Sequence, residues 1–246
     1  MAEKLRLDQL LVDRGLAESR TKAQALIMAG LVYTGEQKLI SAGAKLAVDI
    51  ALTLRGQDHP WVSRGGLKLD HGLKHFRFDA TGRICIDVGA STGGFTDVLL
   101  TNGAAKVYAV DVGYGQIAHR LRTDPRVVVL ERTNARTLDA AAIAEPIGAV
   151  VCDASFIGLR TVLPAAMALT APGAWLIALI KPQFEVGKDR VGKKGVVRDP
   201  ALHEEVCATI SEWLTAQAGW TVAGIEKSPI TGPEGNVEFL IGATRT

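Results

Sequence analysis

The sequence predicts an α/β protein with a mostly parallel sheet, preceded by a small α+β unit. From Arg64 onward, short apolar runs alternate with helix-like stretches, which is typical of a parallel sheet with crossover helices. The first 60 residues instead combine leucine-type residues at helical spacing with short strand-like runs. Residues 55–60 are polar and turn-rich, so we place a boundary there and predict two domains, 1–60 and 61–246.

The composition is that of a globular protein with ample material for a core, since 48% of residues are hydrophobic and 22% are charged. The net charge of +2 means that a nucleic-acid partner must be met by a local basic patch. Cys85, Cys152 and Cys207 lie far apart and do not indicate a disulfide framework or a zinc knuckle. The sequence offers no signal peptide and no apolar run of membrane-spanning length, so we expect a cytoplasmic protein without a membrane partner.

In the N-terminal unit, apolar residues at helical spacing predict two short helices separated near Gly15. Residues 31–33 and 47–54 predict short strands, with a glycine turn between them. Basic residues on the other faces of the helices are expected to point outward together as an RNA-binding surface, namely Arg6, Arg14, Arg20 and Lys22.

Five apolar runs predict the parallel strands of the larger unit: 84–88, 107–111, 127–130, 149–153 and 175–180. Asp199 followed by Pro200 predicts the start of a helix that runs to about Gly219. Two further strands, 220–225 and 238–243, are expected to complete the sheet.

A glycine-rich turn follows the first of these strands and leads into a predicted helix. Such a turn lets a ligand approach the backbone closely, and Asp111 at the end of the next strand can accept hydrogen bonds from both hydroxyls of a ribose. This pairing predicts an adenosine-containing cofactor. The expected cofactor contacts are Asp87, Gly89, Ala90, Ser91, Gly93, Gly94, Phe95, Asp111 and Asp153.

Three other interpretations of this turn compete. A dinucleotide site requires a Gly-x-Gly-x-x-Gly spacing, which the glycines at 89, 93 and 94 do not provide. A hydrolase elbow matches Gly89-Ala-Ser91-Thr-Gly93, with His203 as its nominal base, and a turn without any ligand is also possible. Asp87, directly before the loop, favours a methyl donor.

Charged residues stand where ligands of an open α/β sheet bind. Lys181 and Asp153 end predicted strands, Glu238 begins the last strand, and Lys68 lies in a helix-like stretch. Taken one by one, such residues are usually surface charges or structural ion pairs. Their shared position on the expected ligand side of the sheet makes them candidates for a functional site.

The chain resembles the TlyA family, whose members are called haemolysins but are similar to FtsJ-type ribose methyltransferases, and the resemblance covers nearly its whole length. The motifs that carry it are Arg6-Leu-Asp-Gln-Leu-Leu, Ser19-Arg-Thr-Lys-Ala, Gly30-Leu-Val, Ser63-Arg-Gly-Gly-Leu-Lys-Leu, Asp87-Val-Gly-Ala-Ser-Thr-Gly-Gly-Phe-Thr, Asp153-Ala-Ser-Phe-Ile and Lys181-Pro-Gln-Phe-Glu. One departure is the pair Gly65 and Gly66, which replaces bulkier residues and predicts a looser entry helix.

The resemblance implies a Rossmann-like S-adenosylmethionine-dependent methyltransferase domain behind an RNA-binding domain of the ribosomal S-four type. It implies 2'-O-methylation of ribose in ribosomal RNA, at a cytidine of the large or the small subunit or of both, with ribosomal RNA or subunits as partners. It also implies a catalytic tetrad of Lys68, Asp153, Lys181 and Glu238.

For the tetrad we expect Lys181 to lie between the two carboxylates and to orient or deprotonate the hydroxyl, while Lys68 stabilises negative charge. Like charge and burial would favour a neutral Lys181 amine, whereas the carboxylates oppose it. No metal is expected, because the sequence shows no clustered histidines or cysteines.

A basic loop at residues 181–198, with six basic residues against two acidic ones, is expected to contact RNA. The expected RNA contacts outside the first domain are Arg64, Lys188 and Arg190. Two rival functions stay open at this point: a membrane-active haemolysin, and a non-catalytic RNA-binding factor in ribosome assembly. Only detection of a methylated product separates the second from an enzyme.

Overall fold

A computed structural model describes residues 4–17, 19–54, 59–232 and 235–246. The chain divides into two compact units, Met1–Pro60 and Trp61–Thr246. Most of the predicted boundary segment, residues 55–58, lies outside the described residues.

The first unit is a small α+β structure built around two helices. Its elements are β1 (Lys4–Arg6), α1 (Leu7–Asp13), α2 (Arg20–Met28), β2 (Val32–Thr34), β3 (Gln37–Lys38), β4 (Lys45–Ala47) and β5 (Thr53–Leu54). The run 47–54, predicted as strand, forms strand only at its two ends, because β4 pairs with β1 whereas β5 pairs with β2, and the chain turns between them. The helices bury the leucine-type residues that predicted them, Leu7, Leu11, Ala23 and Ile27 among them.

A buried carboxylate, Asp8, organises the basic residues of this unit. It accepts hydrogen bonds from Arg6 Nε at 3.0 Å, Gln24 Nε2 at 2.8 Å and Arg20 Nη2 at 3.2 Å. The Arg6 guanidinium holds the pKa of Asp8 far below its usual range. Arg6 and Arg20 therefore link elements of the fold, although their side chains are 46% and 53% exposed, and their contact with RNA stays a prediction.

Arg14 also bonds to another part of this unit, whereas the Lys22 ammonium forms no such bond to a described residue. The Arg14 guanidinium donates to the backbone carbonyls of Val48 and Ile50, so it too fixes the chain. Lys22 follows the N-cap Ser19, whose hydroxyl accepts from the Lys22 backbone amide, and its ammonium forms no ion pair with any described residue. Of the four basic residues predicted here, Lys22 is thus the one whose side chain bonds to no other described residue of this unit.

The second unit contains a seven-stranded sheet with helices on both faces, which confirms the predicted α/β class. Its strands are β6 (Ile84–Val88), β7 (Lys106–Val110), β8 (Val127–Leu130), β9 (Ile147–Cys152), β10 (Thr170–Ile180), β11 (Trp220–Lys227) and β12 (Phe239–Arg245). Its helices are α3 (Gly65–Phe76), α4 (Gly94–Thr101), α5 (His119–Arg122), α6 (Leu159–Ala168), α7 (Pro182–Glu185) and α8 (Pro200–Thr215). Asp199 caps α8 as predicted, but the helix ends at Thr215 rather than near Gly219.

The strand order is β11-β12-β10-β9-β6-β7-β8. The five strands from β10 to β8 are parallel, and β12 runs antiparallel to both of its neighbours. The chain begins the sheet at β6 and builds outward on both sides, so the order reverses between β6 and β9. Open α/β sheets bind their ligands at the carboxyl ends of strands at such a reversal.

Alternating residues of the central strands face two hydrophobic layers. In β10, Leu176 and Ile180 pack with α6 and α8, whereas Trp175 and Leu179 pack with α3 and α4. Both faces of the parallel strands are therefore buried, which explains their nearly continuous apolar sequences. None of the helices in the described part of the chain has the length and apolar character needed to cross a bilayer.

The start of α3 is tightly packed, which corrects the expectation of a looser helix. A Cβ atom added to Gly66 would lie 2.4 Å from Cγ of the buried Trp61. A Cβ added to Gly94 at the start of α4 would lie 2.3 Å from Ser63 Oγ and 3.0 Å from the Gly66 amide nitrogen. The glycines let α3 and α4 approach each other closely, and this approach positions Lys68.

We predict that Gly66→Ala destabilises the protein by about 1–3 kcal/mol, because the added methyl overlaps an indole ring that cannot move freely. Gly65→Ala is the matched control: its Cβ would meet Ser63 Oγ at an ordinary 3.4 Å, and alanine favours a helix. Urea unfolding of both variants measures the difference. Equal stability of the two variants would contradict this account of the packing.

Candidate active site

The loop after β6 is shaped so that a ligand can lie against its backbone. Gly89 has φ +79°, and a Cβ there would lie 2.9 Å from both Cα and N of Ala154. Only glycine fits this position, because the conformation and the space both exclude a side chain. The loop thus meets the end of β9 directly, at the reversal of the strand order.

Asp111 follows β7 and holds this loop from the other side. Its Oδ2 accepts from the Ser91 amide at 2.8 Å, and its Oδ1 accepts from the Gly113 amide at 2.7 Å. Asp111 also lines a cavity of about 660 Å³, together with Gly89, Ser91 and Asp153. The cavity volume, the glycine backbone and a carboxylate with further acceptor capacity fit an adenosine-type cofactor.

A second cavity of about 310 Å³ adjoins the first, since Gly89, Ser91, Asp153 and Ser155 line both. The second cavity is also lined by Lys68, Lys181, Ala90, Gly94 and Phe95. A ligand in the larger cavity and a reacting group in the smaller one would therefore meet beside Asp153.

The four residues of the predicted tetrad come together as a continuous chain of ion pairs. Lys68 Nζ lies 2.6 Å from Glu238 Oε2 and 3.4 Å from Asp153 Oδ2, and Lys181 Nζ lies 2.6 Å from Asp153 Oδ1. It is therefore Lys68, and not Lys181, that lies between the two carboxylates. The sequence could not give this order, because it depends on where α3 packs.

The two ammonium groups differ in the acceptors that they use. Lys181 Nζ donates to Ser155 Oγ at 2.9 Å and to the Asp153 carbonyl at 3.2 Å, and its contact with Asp153 Oδ1 is an ion pair without hydrogen-bond geometry. Lys68 Nζ has two acceptors among the described residues, the two carboxylates. Both lysines are 94% buried, and both line the smaller cavity.

Two predicted cofactor residues do not line either cavity. Gly93 starts α4, and a Cβ there would meet Leu121 Cδ1 at 2.3 Å. Asp87 is fully buried, and its Oδ2 accepts from the Thr96 amide at 2.9 Å and the Thr96 hydroxyl at 2.7 Å. In the described structure both residues shape the loop, and direct contact with a cofactor stays a prediction.

Two of the three RNA contacts predicted in this unit already bond to other residues of the protein. Arg64 Nη2 donates to the Thr231 carbonyl at 2.5 Å, at the rim of the smaller cavity. Arg190 Nη1 is paired with Glu205 at 2.8 Å. The Lys188 side chain lies outside the described atoms.

Sequence reasoning missed two neighbours of the tetrad. Ser155 holds Lys181, and Phe156 lines the larger cavity although its side chain is 91% exposed and its φ is +65°. A strained, exposed aromatic residue at a cavity is a feature of functional sites. Its signal in the sequence was its place three residues after Asp153, close behind the end of the strand.

The hydrolase alternative finds no support in this geometry. Ser91 Oγ lies 3.2 Å from Gln116 Oε1, and His203 Nε2 lies 2.9 Å from the Val197 carbonyl with its ring against Phe239. No described histidine therefore forms a hydrogen bond to the serine, as a nucleophile elbow would require.

The strand order is that of a Rossmann-like sheet, and a glycine loop and a carboxylate lie at the point where the order reverses. These features place the second unit in the class of Rossmann-like proteins that bind a nucleotide cofactor. Residues 61–245 match the family model described as FtsJ-like methyltransferase, and residues 5–44 match the model of the S4 domain.

Relatives agree with these matches over nearly the whole chain. The chain is 50% identical to YqxC of Bacillus subtilis over 242 residues, 98% of this chain and 85% of the relative. It is 48% identical to the 16S/23S rRNA (cytidine-2'-O)-methyltransferase TlyA of Mycobacterium tuberculosis over 242 residues, 98% and 90% of the two chains. A solved structure of a Streptococcus thermophilus protein named as a hemolysin superposes with a TM-score of 0.78 at 40% identity, covering 100% and 90%. The chain belongs to the TlyA family of FtsJ-like methyltransferases.

We predict that Asp87 makes stability depend on pH. Burial raises its pKa to about 7, whereas an unfolded aspartate titrates near 3.9. As pH rises from about 4 to 7, the unfolded chain loses this proton before the folded chain does, so the contribution of Asp87 to stability falls by roughly 4 kcal/mol at most. Asp87→Asn retains an acceptor for Thr96 and removes the charge.

The measurement is the free energy of unfolding of wild type and Asp87→Asn between pH 5 and 8. The variant should gain stability relative to wild type as pH rises. A difference that does not change with pH would show that Asp87 is not protonated by burial.

Proposed function

We propose that the protein transfers the methyl group of S-adenosylmethionine to a ribose 2'-hydroxyl of ribosomal RNA, at a cytidine. The observation that carries this proposal is that two cavities share Asp153. One is lined by Asp111 and the glycine loop, and the other by Lys68, Asp153 and Lys181 of the tetrad. A 48% identical relative is named as a 16S/23S rRNA (cytidine-2'-O)-methyltransferase, which supports the choice of rRNA and of cytidine.

The larger cavity would hold the cofactor. The loop at Gly89 and Ser91 would lie along it, and Asp111 would accept hydrogen bonds from its ribose hydroxyls. When bound, S-adenosylmethionine supplies a methyl group that its sulfonium already activates. The protein then needs only to orient and deprotonate the attacking hydroxyl.

The tetrad provides groups for that task. In our proposal Lys181 orients the 2'-hydroxyl and accepts its proton after its ammonium has released one to solvent, and the spare donor of Lys68 stabilises the negative charge that develops on the oxygen. Asp153 holds both lysines, and Glu238 holds Lys68. Ser155 keeps Lys181 in place when a substrate hydroxyl displaces one of its acceptors.

Phe156 is suited to hold the target nucleotide. Its exposed ring lines the larger cavity, and the centroid of the ring lies 5.2 Å from that of Phe184. Proteins commonly stack unpaired RNA bases on such rings, and a ribose must leave its helix to reach a recessed site. We propose that the target base stacks on Phe156.

The first unit would supply RNA affinity, which divides the chain into an RNA-binding domain at 1–60 and a methyltransferase domain at 61–246. The match of residues 5–44 to the S4 domain supports this assignment. Lys22 lies near the N-terminus of α2 and its ammonium has no ion-pair partner among the described residues, so it is suited to contact a phosphate. This activity would place the protein in the cytoplasm, with ribosomal RNA or subunits as its partners.

The central test of the tetrad is Lys181→Ala. Because the proposal gives Lys181 the hydroxyl proton, we expect the variant to lose at least about 100-fold in methyl transfer to rRNA. S-adenosylmethionine affinity, measured by calorimetry, should stay within about threefold of wild type, because the cofactor is held from the other cavity. The matched control is Lys106→Ala, a lysine of β7 that pairs with Glu145.

Transfer by Lys181→Ala at the wild-type rate would remove Lys181 from the catalytic machinery. Loss of transfer together with loss of cofactor affinity would instead assign it to the cofactor site. Lys106→Ala should behave as wild type in both assays.

The RNA assignment of Lys22 is tested by the salt dependence of binding. If its ammonium neutralises one phosphate, Lys22→Ala should reduce the slope of log affinity against log salt by about 0.9. Lys74→Ala, an exposed lysine paired with Asp70 in the other unit, is the control and should keep the slope. Filter binding to an rRNA fragment at several salt concentrations gives both slopes, and an unchanged slope for Lys22→Ala would refute the contact.

A further inference from the structure

Two histidines and a glutamate come together away from the tetrad. His71 and His75 are four residues apart on α3, so they share one face of the helix, and Glu226 of β11 lies opposite them. The expectation that no histidines cluster is therefore wrong. The spacing His71-x-x-x-His75 was visible in the sequence, but the third residue is supplied by a distant strand.

The donor atoms of these side chains face one another. His71 Nε2 lies 3.5 Å from Glu226 Oε1, His75 Nδ1 lies 3.7 Å from Glu226 Oε2, and all three ligand atoms lie within 4.8 Å of each other. Ligands bound at about 2.0–2.1 Å to a tetrahedral ion are about 3.3 Å apart. Small side-chain rotations would bring the three atoms to that spacing.

These distances are too long for hydrogen bonds, which for nitrogen and oxygen lie at about 2.7–3.2 Å. His71 Nε2 is itself buried and has no hydrogen-bond partner among the described residues, although the side chain as a whole is 37% exposed. The site therefore holds an unsatisfied nitrogen that faces a carboxylate, and its partly exposed side chains leave a path for an ion to enter.

We propose that His71, His75 and Glu226 form a binding site for a divalent transition-metal ion such as Zn²⁺. Imidazole nitrogens and a carboxylate oxygen are ligands that Zn²⁺ prefers, and two histidines at i and i+4 on a helix can bind it from one face. Three protein ligands leave at least one position for water. The bound ion would connect α3, which carries Lys68, to β11 at the edge of the sheet.

The test uses the full-length chain without an affinity tag, after treatment with a chelator. Titration with Zn²⁺ in a calorimeter should show one ion per chain, and Zn²⁺ should raise the melting temperature. His71→Ala and Glu226→Gln should each weaken binding at least about tenfold and abolish the thermal shift, because a tetrahedral ion depends on every protein ligand. Glu226→Gln keeps the shape of the side chain, and circular dichroism of each variant confirms that it is folded.

Two controls exclude other ligands for the ion. His119→Ala removes an exposed histidine of α5, and Cys207→Ser removes a partly buried thiol; both should bind Zn²⁺ as wild type does. If wild type binds no Zn²⁺, or if His71→Ala and Glu226→Gln bind it as tightly as wild type, the proposal is overturned. Neither readout involves methyl transfer, so the result is independent of the proposed activity.

Discussion

The structure of the second unit depends on holding two buried lysines and the buried Glu238 together with the half-buried Asp153 in one chain of ion pairs. An isolated buried charge is costly, so these charged groups are tolerable in the interior only when all four meet. The sheet satisfies this condition. In the antiparallel pair of β10 and β12, Ile180 pairs with Phe239, so Lys181 and Glu238 come next to each other just beyond this pair. Asp153 follows β9, which is the neighbour of β10 on its other side. Only Lys68 must arrive on a helix, and the glycine contacts with Trp61 and Ser63 allow α3 to come close enough.

The same arrangement joins cofactor and substrate. The strand order reverses between β6 and β9, so the loop that begins at Gly89 and the carboxylate of Asp153 end at one edge of the sheet. Asp153 faces both cavities, and the geometry therefore couples the position of a cofactor to that of the lysines. The ion pairs among the four side chains would hold the proposed catalytic groups in position for the reaction.

Much of the fold and of the candidate site could be predicted from the sequence, because the patterns that indicate them lie within short segments of the chain. The parallel strands were found as apolar runs, since both faces of the sheet are buried, and the glycine loop and Asp111 were found by their places after strands. The four tetrad residues were named, but their order was not, because it depends on the packing of α3. The pairing of Asp8 with its two arginines, the exposure of Phe156 and the cluster around Glu226 were not predicted, for the same reason. Each is defined by contacts between elements that are distant in the chain.

The central claim is that the methyl group goes to a ribose oxygen of rRNA. The most direct measurement is transfer of radiolabelled methyl from S-adenosylmethionine to ribosomal subunits, followed by complete alkaline hydrolysis of the RNA. Alkali cleaves RNA through the free 2'-hydroxyl, so a 2'-O-methylated nucleotide stays joined to its neighbour. The account predicts that the label is recovered in alkali-resistant dinucleotides whose first nucleoside is cytidine. Label recovered in mononucleotides, as expected for methylation of a base, or no transfer to any ribosomal RNA, would contradict it.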